Sequence, residues 1–106
     1  MKKSALKQKA DLLVAIAHPN RIRILEQLRN EIKCNCELAP ALGLEQSNLS
    51  RHLKVLTQAG VLISWKDGLR VNFKIADERF FDLLDLAENI AAKSEHADEP
   101  AAAGHS

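Results

Sequence analysis

The sequence predicts a mostly helical α+β domain: five helices and one β-hairpin, arranged as a winged helix-turn-helix. Three observations predict it. Apolar residues recur at helical spacing in separate stretches along most of the chain. Two short helical stretches meet at a turn containing Gly43. Directly after the second of them, the period changes to two on either side of an Asp67-Gly68 turn. A chain of 106 residues suits one such domain. We expect it over residues 1–92, followed by an acidic, disordered tail over 93–106.

Each element has its own justification. Residues 5–17 read as a helix with Leu6, Ala10, Leu13, Val14 and Ala17 on one apolar stripe. His18-Pro19-Asn20 interrupts it, and proline suits the first turn of a new helix starting at Pro19 or Asn20 and ending near Asn30. Residues 35–42 form a short third helix, with Leu38 and Leu42 inward, Pro40 limiting its length and Gly43 stopping it. The fourth helix runs from about Gln46 to Ala59. Leu49, Leu53 and Leu56 face in; Gln46, Ser47, Ser50, Arg51 and Lys54 face out. Val61 to Trp65 and Arg70 to Ile75 are the strands of a hairpin with a basic tip. Residues 78–92 make the last helix, with Phe80, Leu83, Leu84, Ala87, Ile90 and Ala91 as its apolar stripe.

The net charge of +1 conceals a division. Residues 1–75 carry 13 Lys or Arg against 6 Asp or Glu, a net of +7; residues 76–106 carry 2 against 8, a net of −6. Only the first part is suited to a polyanion. Nothing approaches the roughly 20 consecutive apolar residues of a membrane span, and the N-terminus lacks the apolar block of a signal peptide, so a cytoplasmic chain is expected. No nucleophile, base and orienting group assemble from the spacing, and no phosphate-binding glycine loop occurs, so no enzyme is expected.

The fourth helix is the candidate DNA reader. Such a helix buries one face and offers short polar and basic side chains to the major groove on the other. Gln46, Ser47 and Asn48 stand at its N-terminal end, with Ser50, Arg51 and Lys54 further along. Lys66 and Arg70 on the hairpin are placed to grip the flanking backbone or minor groove.

At these residues the chain resembles the ArsR/SmtB family of repressors. Ala17-His18-Pro19-Asn20-Arg21-Ile22-Arg23-Ile24-Leu25 resembles the start of their second helix. Gln46-Ser47-Asn48-Leu49-Ser50-Arg51-His52-Leu53-Lys54-Val55-Leu56, with Ala59-Gly60-Val61, resembles their recognition helix and the start of their wing. The resemblance spans about residues 5–92. It implies a homodimer built through the first and last helices, reading double-stranded DNA at an inverted-repeat operator, and it places His52 among the DNA-reading positions rather than as a metal ligand.

Cys34-Asn35-Cys36-Glu37-Leu38 resembles the family's arsenic-sensing Cys-x-Cys-(Asp/Glu)-Leu motif. Two thiolates are soft ligands for thiophilic ions. We expect reduced thiols rather than a disulfide, because a link across one residue closes a small ring. Side chains at i and i+2 diverge by about 200° on a regular helix, so one ion held by both sulfurs is expected to bend the first turn. The fullest arsenic site has a third cysteine where this chain has Ala39. The resemblance implies trivalent arsenic (arsenite) or antimony as inducer, with cadmium, lead, zinc or copper(I), or thiol oxidation, as alternatives. The family's other common site, which binds zinc through Asp and His on the last helix, lacks its histidines here: Asp77, Asp82, Asp85 and Glu88 read as a solvated face, while His96 lies beyond the stripe and His105 is in the tail. A winged module that binds protein instead of DNA is the remaining alternative.

Overall fold

A computed structural model describes residues 4–98. Helix α1 (Ala5–Ile16) begins where the Ser4 side chain accepts a hydrogen bond from Lys7 N at 3.1 Å. Its expected stripe points the other way. Leu6, Leu13 and Val14 are exposed by 75%, 46% and 69%, while Ala15 and Ile16 are buried and Leu12 packs on the core. The helix carries two apolar flanks, and periodicity does not say which one meets the domain.

Helix α2 (Pro19–Gln27) has proline in its first turn and His18 as its N-cap, the imidazole Nδ1 accepting from Asn20 N. It stops short of the expected end; Asn30 adopts a left-handed φ of 60°. Strand β1 (Lys33–Cys34) was not expected, because two residues carry no periodic signal. Helix α3 (Asn35–Leu42) has the expected bounds. Pro40 lies inside it, where it removes one ladder donor, and the helix ends two residues later at Gly43, whose φ of 66° suits glycine.

Helix α4 (Gln46–Gln58) buries Leu49, His52, Leu53 and Leu56. Strands β2 (Leu62–Asp67) and β3 (Arg70–Ile75) pair antiparallel from Leu62↔Ile75 to Asp67↔Arg70, around a two-residue Gly68-Leu69 turn. Strand β1 adds to the far edge of β3, with Lys33↔Phe73 and Cys34↔Asn72, giving the sheet order β1-β3-β2.

Helix α5 (Arg79–Asp98) runs six residues past its expected end at 92. Ala91, Ala92 and Lys93 are good helix formers, so the composition that suggested disorder also extends the helix. The expected tail beyond residue 98 lies outside the described residues. Asp77 precedes α5 and accepts from Arg79 N at 2.9 Å and from the Arg79 guanidinium at 2.6 Å. That side-chain bond, followed by the backbone bond, holds its carboxyl at about 2 rather than 3.8. Arg29 links α2 to α5: it bonds Glu26 and both Asp85 oxygens and lies 4.7 Å over the Phe81 ring. Ile24, Leu25, Leu28, Leu38, Leu49, Leu56, Val61 and Cys34 form the fully buried centre, aliphatic apart from the cysteine. Among the described residues no helix is long and apolar enough to cross a membrane.

Candidate DNA interface and cysteine site

The outward face of α4 presents Gln46, Ser47, Ser50, Arg51 and Lys54, all exposed, and Asn48, half-buried. The Asn48 side-chain Oδ1 accepts from Arg51 Nη2 at 3.0 Å, so the two act as one polar unit. Lys66 and Arg70 are exposed on the wing. A cleft of about 280 Å³ separates the helix from the wing, lined among others by Asn35, Ser50, Lys54, Thr57, Ser64 and Val71. Among the described residues, Thr57 Oγ1, buried there, meets no hydrogen-bond partner.

His52 departs from the expected set. It is 8% exposed and faces inward. Arg21 Nε donates to its Nδ1 at 3.2 Å, and the His18 ring lies 4.5 Å away, centroid to centroid. Arg21 also donates to Ala15 O at 3.1 Å, tying α1 to the recognition helix. Burial, then the charges of His18, Arg21 and Arg51, holds His52 below its ordinary 6.5. It is a neutral acceptor beneath the outward side chains of α4 and is itself buried. Arg23 fixes the neighbouring helix by donating to Leu42 O at the end of α3.

Cys34 and Cys36 are joined by a disulfide, with Cα atoms 5.2 Å apart, which corrects the expectation of reduced thiols. The reason lies in one residue's backbone. Cys34 is the N-cap of α3, with φ −89° and ψ 164°, so its side chain does not follow helical spacing. The divergence of about 200° between i and i+2 holds only inside a helix. One residue outside it, the two sulfurs meet with the first turn intact.

The pair is also fastened to the wing. Cys34 pairs with Asn72 across β1 and β3. Asn35 Oδ1, between the cysteines, accepts from Val71 N at 3.3 Å. Arg70 Nη2 donates to Cys34 Sγ at 3.5 Å. Glu37 Oε1 accepts from Cys34 N at 2.8 Å, the carboxylate arm of a capping box. Cys34 is fully buried and Cys36 is exposed. Ala39, the position of a third sulfur in the fullest arsenic site, is buried in the core. Among the described residues no three His, Cys, Asp or Glu side chains are grouped to hold a metal ion. On α5, Asp85 is paired with Arg29; ahead of it, Asp77 is paired with Arg79. His105 lies outside the described residues.

Sequence reasoning missed Asn35, whose role depends on β1, and Arg21. The Arg21–His52 contact spans 31 positions and has no local signature.

Comparison with known proteins agrees with this architecture. Residues 18–64 match the family described as "Bacterial regulatory protein, arsR family". The chain is 41% identical over 88 residues to the uncharacterized HTH-type transcriptional regulator Rv0081 of Mycobacterium tuberculosis, covering 82% of this chain and 77% of that protein. The crystal structure of that regulator superposes with a TM-score of 0.78, covering 91% of this chain and 97% of the other at 37% identity. The solution structure of the homodimeric winged helix-turn-helix DNA-binding domain Mb0332 of Mycobacterium bovis gives 0.74, with 88% and 91% covered at 26% identity. A probable mercury resistance operon repressor of Streptomyces lividans is 30% identical over 78 residues, 74% of this chain and 62% of that one. Helix-turn-helix, wing and extent of identity together make this chain a member of the arsR family of DNA-binding transcriptional regulators.

Proposed function

We propose that this regulator is a homodimeric repressor of an inverted-repeat operator, released when the reduced Cys34/Cys36 pair binds trivalent arsenic or antimony. The observation that carries the reading is the meeting of the two sulfurs at the start of α3, against the wing. Two thiols whose sulfurs approach to bonding distance can both hold one soft ion. With Ala39 in third place the site offers two sulfurs. That donor set suits trivalent arsenic, completed by a small-molecule thiol or water, better than zinc, which takes four ligands in structural sites. The mercury named for the Streptomyces lividans relative is another thiol-seeking ion.

The route to DNA differs from a bent helix. An ion on Cys34 occupies the sulfur to which Arg70 donates, and Asn35 lines the same cleft as Ser50 and Lys54. Binding therefore repositions the wing relative to the recognition helix. This supplies the two states that an inducer must distinguish. Gln46, Ser47, Asn48, Ser50, Arg51 and Lys54 read or grip the operator, with Lys66 and Arg70 on its flanks; His52 supports them from below. The homodimer follows the named Mb0332 neighbour and the exposed apolar residues of α1 and α5.

Titrating arsenite into the reduced protein on a fluorescent operator tests the reading. We expect affinity to fall by about 5–150-fold, the range of ordinary allosteric coupling. No fall, or an equal fall in Cys34→Ser/Cys36→Ser, overturns it.

A further inference from the structure

Cys34 and Cys36 are bonded to each other yet sit in opposite environments. Cys36 is exposed at the second position of α3. Cys34 is fully buried, reached by the Arg70 guanidinium at 3.5 Å. Glu37, the nearby carboxylate, is engaged by the Cys34 backbone N–H. One cysteine is thus exposed, and the other is buried beside a fixed positive charge and bonded to the first.

We infer that this pair is a dithiol oxidation switch for peroxides, in which Cys36 attacks, Cys34 resolves, and Arg70 on the wing positions the resolving sulfur. The Cys36 thiolate attacks one peroxide oxygen. The O–O bond breaks, the departing oxygen takes a proton and leaves as water or an alcohol, and Cys36 becomes a sulfenic acid. The Cys34 thiolate then attacks the Cys36 sulfur. The S–S bond forms, the S–O bond breaks, and hydroxide leaves and takes a proton as water. The pair gives up two electrons, and the peroxide accepts both. The negative charge facing Arg70 disappears in the second step, so the wing strand registers the change. The inference rests on the DNA-binding reading for its consequence, but not on arsenite.

The experiment treats the reduced full chain with one equivalent of hydrogen peroxide and no metal, then analyses it by intact mass, with and without dimedone. We expect loss of two hydrogens' mass through a disulfide within one chain, reversed by dithiothreitol. In Cys34→Ser, dimedone should label Cys36. In Cys36→Ser, labelling of Cys34 should be at least about ten-fold slower, because the buried sulfur is shielded. In Arg70→Ala, the Cys36 sulfenic acid should persist long enough for dimedone to trap it with Cys34 present, and Arg70→Lys should restore closure. Oxidation should also shift operator affinity by about five-fold or more. Equal labelling of the two cysteines, disulfides between chains, an Arg70→Ala variant that closes as fast as the parent, or unchanged operator affinity would each overturn the switch. Oxidation as expected without release by arsenite would remove the metalloid reading and leave this one; release by arsenite without disulfide closure would do the reverse.

Discussion

At the residue scale, His52 connects stability to pH. Its imidazole is neutral in the fold because burial and neighbouring positive charges disfavour the cation, and its Nδ1 is already occupied by the Arg21 donor. A histidine held below 6.5 when folded takes up protons more readily when unfolded. Its contribution to stability is therefore complete above pH 6.5 and declines as the pH falls from there through the lower folded value. Thermal melts between neutral and mildly acid pH should show this loss. His52→Gln, which keeps an acceptor but does not titrate, should flatten it; an unchanged slope would assign the acid sensitivity elsewhere. The inward direction of His52 was legible in the spacing. Leu49, His52, Leu53 and Leu56 fall at i, i+3, i+4 and i+7 on one face, and that periodicity outweighs the family pattern that set His52 beside Arg51.

At the element scale, the bounds of α3 and α4 and the presence of the hairpin were legible because amphipathic period and glycine stops agree there. What joins those elements was not. The strand β1 is two residues long, and its pairing with β3 turns the cysteine motif from a helix start into part of the wing sheet. The helical divergence of i and i+2 does not apply for the same reason: the Cys34 backbone is extended. Asn35 tests the connection. Its side-chain oxygen satisfies Val71 N, so Asn35→Ala leaves a half-buried backbone donor without its partner. A loss of about 0.5–1.5 kcal/mol in chemical denaturation is expected. Faster hydrogen exchange should appear at Val71, with the α2 amides unchanged. Uniformly faster exchange, or none, would mean that the side chain does not anchor the wing.

At the scale of the whole molecule, apolar surface remains where a single domain has no use for it. Leu6, Leu13 and Val14 on α1, and Leu86 and Ile90 on α5, are exposed by 46–75%. The sequence correctly showed these helices to be amphipathic; it did not show that the stripe on α1 faces away from the domain, because only packing chooses between two apolar flanks. A face of this kind covered by a second copy produces two recognition helices under one two-fold axis. The basic charge of residues 1–75 then doubles at the operator, while the acidic charge is confined to residues 76–106. Leu86→Glu and Ile90→Glu place a carboxylate on that face at positions outside the monomer core. Sedimentation should show monomers with unchanged helix content by circular dichroism. Operator affinity should fall by at least about 10²-fold, since each domain then binds one half-site without the advantage of linkage. Affinity for an isolated half-site and its salt dependence should stay as before, because the phosphate contacts of each recognition helix are untouched. A variant that remains dimeric would move the interface away from α5, and a monomer that keeps full operator affinity would show that the two helices do not read the site together.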